Sequence, residues 1–242
     1  MVAYNLSHLT QPDAQNVSGP IQDDEALFLF ALIRVMRLKR ILEIGGLNGY
    51  SARNFCEAVG ADGVVFTVDF EKIEPLSERH VTLQKDARNI SADDFGSMPL
   101  DLVFFDCHEY DVQWKVFRTL QLSRLLTDRT VLAFHDTNLH PNQSVPWAYK
   151  VDGGWVHQDT ERRLVNKFKR IGYDIFALNT LMESHNATLP VRHGVTIATK
   201  FKPFALHPSD AAIPRSIRSG KTLLRRIRSK GARMASAVIR KH

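Results

Sequence analysis

The sequence predicts a doubly wound α/β fold: a mostly parallel sheet with helices on both faces and an antiparallel strand closing one edge. Three observations predict it. Short strand-like runs alternate with helix-like segments along most of the chain. Most of those runs are apolar on successive residues, as strands buried on both faces must be, rather than polar at every second position. The first run passes through a burst of glycines straight into a helical segment, RILEIGGLNGYSA at 40–52. That strand–turn–helix transition is where such folds build ligand sites.

Residues 1–22 lack periodicity and contain Pro12, Gly19 and Pro20, which predicts an extended lead-in. Asp23, Asp24 and Glu25 then precede ALFLFALIRVMRLK. Acids at its start and Arg34, Arg37 and Lys39 at its end suit the dipole of a helix. Strands follow at RILEI (40–44), VVFTVDF (64–70), HVTLQ (80–84), DLVFFD (101–106) and TVLAFHD (130–136). Helices are expected between them at YSARNFCEAV (50–59), weakly at 73–79, briefly at 92–95 and at DVQWKVFRTLQLSRLL (111–126). After Asp136 the stretch with Pro141, Pro146, Gly153 and Gly154 reads as loop. TERRLVNKFKRIG (160–172) reads as a helix, and YDIFALN (173–179) with GVTIATK (194–200) as a closing antiparallel pair. The domain plan is therefore a lead-in at 1–22, one domain at 23–200 and a tail at 201–242.

With 242 residues, 44% of them hydrophobic, the chain can bury one sizeable core. Its two cysteines, Cys56 and Cys107, form neither a disulfide scaffold nor a zinc spacing and suit a reducing compartment. No apolar run approaches the roughly 18 residues of a membrane span, and MVAYNLSHLTQPDAQ lacks the features of a secretion signal. A cytoplasmic location is the expectation, so the sequon at Asn186–Thr188 carries no weight. Net charge is +6, but residues 201–242 hold eleven Lys/Arg against Asp210 alone, which leaves the first 200 residues at −4. The basic balance describes the tail and not the domain, which argues against nucleic acid as the domain's partner. Leu224, Ile227, Met234 and Val238 fall near one face of that tail among arginines. This is the pattern of a basic amphipathic helix on an anionic membrane, and the inner membrane face is the expected place of attachment. A solvated, disordered tail is the plainer alternative.

The glycine loop is the first functional signal. Gly45 and Gly49 leave room for a ligand against the backbone, and Glu43 stands just before them. The spacing Glu43-x-Gly45-x-x-x-Gly49 departs from the dinucleotide fingerprint that seats a pyrophosphate on a helix N-terminus. A carboxylate there would repel phosphate and suit an ammonium or sulfonium group. Asp69 ends the second strand, 26 residues on, near where an acid binds ribose hydroxyls in nucleotide-binding α/β folds. Asp86 follows the third strand and is placed to accept from an adenine amino group. Singly, each is an ordinary loop acid; at three successive strand ends they form a constellation.

With these residues the sequence resembles the class I S-adenosylmethionine-dependent methyltransferases, which share a Rossmann-like sheet. EIGGLNGYSA looks like their first motif, VDF their ribose-binding acid and KDA their adenine-contacting segment. The resemblance spans roughly residues 23–200. It implies S-adenosyl-L-methionine as cofactor, held by Glu43, Gly45, Gly46, Gly49, Tyr50, Ser51, Asp69, Phe70, Asp86, Ala87 and Asp106. FFDCHEYD, VLAFHDTN and the final GVTIATK are similar to small-molecule O-methyltransferases, the subgroup acting on sugars, macrolide sugars and catechols. In that subgroup acids after the fourth and fifth strands often hold a divalent metal, which implies Asp106, Asp136 and Asn138 as oxygen ligands suited to Mg²⁺.

Methyl transfer to a hydroxyl needs an in-line acceptor, removal of its proton and exclusion of water. His108 is the first candidate for the base, with Asp106 and His135 beside it and His140 just beyond. Related enzymes commonly read Asp-Gly-x-His-x-Tyr here, whereas this chain is one residue shorter, Asp106-Cys107-His108-Glu109-Tyr110. Trp147, Tyr149 and Trp155 offer aromatic faces for a sugar or aromatic acceptor, or simply anchor their loop. Three function classes follow: a methyltransferase acting on a small-molecule or glycan acceptor, a nucleic-acid methyltransferase using the tail, and a non-catalytic nucleotide-binding domain. The second lacks the Asn/Asp-Pro-Pro-Tyr/Phe segment of amino-methylating enzymes. A homo-oligomer is the expectation, though no residue pattern derives it.

Overall fold

The computed structural model describes residues 21, 23–137, 148–151, 154–157, 160–178 and 194–201, with backbone only at 23, 148–151 and 154–157. The chain divides into a unit Met1–Phe201, to which all of these belong, and a unit Lys202–His242 that lies outside the described residues. The amphipathic tail expectation therefore falls outside them too.

Seven strands form the main sheet: β1 (Arg40–Ile44), β2 (Val64–Asp69), β3 (His80–Gln84), β4 (Leu102–Phe105), β5 (Val131–Phe134), β8 (Asp174–Leu178) and β9 (Val195–Thr199). Their order is β3-β2-β1-β4-β5-β9-β8. β9 runs antiparallel to both of its neighbours, β5 and β8, which is the closing arrangement expected from sequence. The strand order switches direction between β1 and β4, the point outside whose carboxyl ends such sheets place a ligand crevice.

Both faces of the sheet are covered, which explains the unbroken apolar runs. Successive strand residues point to opposite faces. Ile41, Val65, Leu102, Phe104, Val131 and Ala133 pack under helices α1 (Asp23–Met36) and α2 (Tyr50–Val59). Leu42, Ile44, Val103, Phe105, Leu132 and Phe134 pack under α3 (Tyr110–Leu122) and α4 (Thr160–Arg170). On this second face Phe168 is the hub. Its ring meets Phe117 at 4.7 Å, Phe134 at 5.1 Å and Tyr173 at 5.1 Å, mostly edge to face.

Two sequence expectations fail. No helix forms at 73–79, where the chain is a loop. Pro75 has no N–H to offer a helix, and the next amide, Leu76 N–H, donates instead to His80 Nδ1 at 3.2 Å. The stretch after Asp136 is not all loop: β6 (Ala148–Val151) and β7 (Gly154–His157) form an antiparallel hairpin in which Val151 pairs with Gly154. The intervening Asp152-Gly153 is a strong two-residue hairpin signal, hidden among the other glycines and prolines.

Phe168 fills the junction of α3, α4 and β5, so truncating it leaves a cavity that the surrounding rings cannot close. Phe168→Ala is expected to lower unfolding free energy by about 3–5 kcal/mol in urea titrations.

Candidate active site

Asp69, Asp106 and Asp136 stand at or just past strand ends, and main-chain bonds beyond the regular ladder hold those ends level. Gly45 N–H donates to Val68 O, Asp106 N–H to Ile44 O and His135 N–H to Phe105 O, at 2.9, 2.9 and 3.0 Å. The turn after β1 then passes very close to β4. A Cβ on Gly45, whose φ is +88°, would lie 2.6 Å from the Asp106 carbonyl oxygen. No side chain fits there, and the conformation itself favours glycine. Gly49, at φ +80°, caps α2 and turns the loop into the helix.

The three acids of the glycine-loop half occupy different environments. Asp69 holds the loop: its Oδ2 accepts from Gly46 N–H at 2.7 Å and Leu47 N–H at 3.1 Å, and its Oδ1 from Glu71 N–H at 2.9 Å. It also lines an open recess with Glu71, Lys72, Thr82 and Gln84. Phe70, next to it, is exposed. Asp86 accepts from Arg88 N–H at 2.8 Å and from the Arg88 guanidinium at 3.0 Å, and Arg88 reaches on to Glu109 at 2.6 Å. Ala87 is buried in the core under α3. Tyr50 is half-buried at the start of α2.

Glu43 does not present a charge to the open side of the loop. It is wholly buried, hydrogen-bonded by Ser51 Oγ and by Thr67 Oγ1, the latter at 2.7 Å. Burial, reinforced by Asp106 and Asp69, outweighs these bonds and pushes its pKa up to about 8. Thr67 Oγ1 is also 2.8 Å from His80 Nε2. Leu76 N–H donates to the other ring nitrogen, so the neutral tautomer that burial favours donates from Nε2 to Thr67. A chain of buried polar contacts thus runs from β3 to the glycine loop.

Across the crevice, Asp106, His108 and Asp136 converge at the ends of β4 and β5. One potential ligand atom from each lies within 4.8 Å of the others. Asp136 adopts φ +56°, a left-handed conformation that an aspartate tolerates better than most residues. Asn138, the third metal ligand expected from sequence, lies outside the described residues, as do His140 and Trp147. The side chains of Tyr149 and Trp155 do as well.

The two described histidines of this cluster differ sharply. His108 is 40% exposed, with Nε2 3.6 Å from Asp136 and Nδ1 3.2 Å from Glu161 Oε1. Burial pulls its pKa down, but Glu161, Asp136 and Asp106 together raise it above the ordinary value. His135 is 2% exposed, its Nδ1 2.8 Å from Asp106 Oδ1 and its Nε2 3.1 Å from Glu25 Oε2. Its burial also works against charge, yet Asp106, Asp136 and Glu25 raise its pKa well above the usual imidazole range. Both ring nitrogens of His135 are therefore engaged by carboxylates inside the protein, whereas His108 is partly open to an acceptor.

Sequence reasoning missed two residues here, Glu25 and Glu161. Both were legible only as acids in the first turn of a helix, where the dipole explains them. Their almost complete burial is the signal that they do something else.

Comparison with known proteins bears on the fold and on the first part of the chain. Residues 4–86 match the O-methyltransferase family model. No curated protein sequence matches the chain. Among solved structures, a putative caffeoyl-CoA O-methyltransferase from Staphylococcus aureus superposes with TM-score 0.57 at 16% identity, covering 82% of this chain and 93% of that one. The O-methyltransferase from Bacillus cereus in complex with S-adenosylhomocysteine gives 0.54 at 18% identity, covering 80% and 89%. The O-methyltransferase TomG from Streptomyces achromogenes, in complex with S-adenosylmethionine, gives 0.52 at 21%, covering 80% and 88%. The fold is that of the class I S-adenosylmethionine-dependent methyltransferases. The matched third of the chain, which contains the glycine loop, Asp69 and Asp86, carries the O-methyltransferase family pattern.

Glu43 makes stability depend on pH in a defined direction. Its folded pKa lies above the ordinary 4.5, so its contribution is fully present below about 4.5 and is lost as pH rises through about 8. Glu43→Gln is expected to flatten this loss. The difference in unfolding free energy between wild type and variant, followed from pH 5 to 8, should shift against the wild type by a few kcal/mol, since each pKa unit is worth about 1.4 kcal/mol.

Proposed function

We propose that the chain transfers a methyl group from S-adenosyl-L-methionine to a hydroxyl of a small-molecule or sugar acceptor, with a divalent cation assisting. The observation that carries this reading is the convergence of Asp106, His108 and Asp136 opposite the glycine loop. Two carboxylates and an imidazole that close repel or compete for protons unless a cation lies among them. Their spacing suits such an ion. When bound, the donor supplies an electrophilic methyl group and the metal acidifies and orients the acceptor hydroxyl.

The chain's own residues divide the remaining work. Gly45, Gly46 and Gly49 let the donor lie against bare backbone, and Asp69 and Asp86 address its ribose and adenine. Asp106 and Asp136 provide oxygen ligands, the set preferred by Mg²⁺. His108 accepts the acceptor's proton at Nε2, while Glu161 on Nδ1 fixes the ring and stabilises the positive charge it gains. Because neighbouring carboxylates raise the pKa of His108, the free-base form, and with it the rate, should increase toward alkaline pH. The carboxylates crowding this site also argue against a phosphate-rich acceptor such as nucleic acid, as does the −4 charge of residues 1–200.

Two measurements test the reading. Gly45→Ala forces a Cβ against the Asp106 carbonyl and should weaken S-adenosylhomocysteine binding at least tenfold by calorimetry. Gly96→Ala, at φ +63° with open space around it, should cost only about 1 kcal/mol of stability and leave binding unchanged. For the chemistry, labelled donor is offered with a panel of catechols and glycosides in Mg²⁺ or chelator. His108→Ala should slow turnover by roughly 10²–10⁴-fold while Mn²⁺ still binds. Loss of Mn²⁺ binding in that variant would make His108 a ligand rather than the base, and full activity in chelator would remove the metal.

A further inference from the structure

We infer that Glu25 is a positioning residue of the reaction centre, acting from α1 through the ring of His135 on the carboxylate of Asp106. Three contacts carry this. Glu25 Oε2 lies 3.1 Å from His135 Nε2, and His135 Nδ1 lies 2.8 Å from Asp106 Oδ1. The other oxygen of Glu25 accepts the N–H of Gly194, immediately before β9. Gly194 O in turn receives Thr137 N–H at 3.2 Å and Thr137 Oγ1–H at 3.1 Å. The start of the domain, the ends of β4 and β5 and the start of β9 are thereby tied at one point. Glu25 and His135 are 110 residues apart in sequence, so nothing local dictates their pairing.

A merely structural account is weak on energetic grounds. Glu25 and His135 are almost wholly removed from water. Burying such a pair costs several kcal/mol in desolvation, and packed apolar side chains would join α1 to the sheet as well or better. Direction is what a charged chain adds. A carboxylate with one oxygen hydrogen-bonded to a buried ring nitrogen, here at 2.8 Å, has its plane fixed, so the second oxygen of Asp106 points one way only. Metal-bound and reacting carboxylates depend on such outer partners for their aim. Held between two carboxylates, the ring can neither flip nor tilt without breaking a buried charge-assisted bond. Glu25 supplies the half of that clamp farther from the crevice.

For its most direct readout the inference rests on the metal reading above. Glu25→Gln keeps the size and one acceptor but removes the charge that holds the ring. In the full-length chain it is expected to lower Mn²⁺ affinity tenfold or more by electron paramagnetic resonance titration. Affinity for S-adenosylhomocysteine should stay within twofold by calorimetry, because the glycine loop is untouched. Mn²⁺ affinity within twofold of wild type, in a variant with unchanged circular dichroism, would overturn the inference and leave Glu25 as a tether for α1. Glu25→Asp, which keeps the charge but withdraws it by one methylene, serves if the glutamine variant does not fold, with the same two outcomes. Wild-type protein that takes up no Mn²⁺ would sink the metal reading instead. The inference would then be decided by a double-mutant cycle of Glu25→Gln and Asp106→Asn in urea. Coupling of fivefold or more in the unfolding equilibrium constant supports it, and additivity overturns it.

Discussion

The backbone of Gly45 lies so close to the carbonyl of Asp106 that a single added carbon would sit 2.6 Å from that oxygen. This approach joins the two halves of the crevice. On one side of it the chain turns through the glycine loop, held by Asp69, into α2. On the other side Asp106 leaves β4 and meets His135. If β1 and β4 were pushed apart by a methyl group, the loop and the carboxylate would no longer share one frame. Methyl transfer requires donor and acceptor oriented to within fractions of an ångström, so a rigid seam between their two sites is a physical necessity for the proposed reaction.

Around that seam the polar groups form two separate networks with opposite electrostatic characters. Under the glycine loop, Ser51, Glu43, Thr67 and His80 make a network that favours neutral forms: an acid pushed up to about pH 8 and an imidazole pushed below its usual range. Around Asp106 the network favours charge, with carboxylates from Glu25, Asp136 and Glu161 raising both histidines. For the proposed reaction, the excess negative charge around Asp106 would favour a metal cation and stabilise positive charge on the base.

Much of the fold was legible in the sequence because its strands are buried on both faces. Runs such as LVFF and VLAF have few other interpretations, and α2 occupies the segment 50–59 that its pattern suggested. The loop at 73–79 and the β6–β7 hairpin were misread. In each a short-range signal, Pro75 in one and Asp152-Gly153 in the other, was outweighed by weak periodicity or by neighbouring loop residues. The positions of the candidate site's acids were legible where they sit next to a strand end, as at Asp69, Asp106 and Asp136. It was not legible where a residue arrives from far along the chain. Glu25 and Glu161 look like ordinary first-turn acids, and only the tertiary arrangement brings them onto His135 and His108. Glu43 was legible as a residue of the loop but not in its state, since burial and not sequence decides whether a carboxyl is charged.

The central claim is that one crevice, between the glycine loop and the ends of β4 and β5, holds a methyl donor facing a metal-assisted acceptor site. The most direct measurement is a crystal structure of the full chain grown with S-adenosylhomocysteine and Mn²⁺, using anomalous scattering to locate the metal. The account predicts the ribose at Asp69, the donor's sulfur pointing toward Asp106, and one metal between Asp106 and Asp136. Donor density elsewhere, or a metal bound away from both aspartates, would contradict it.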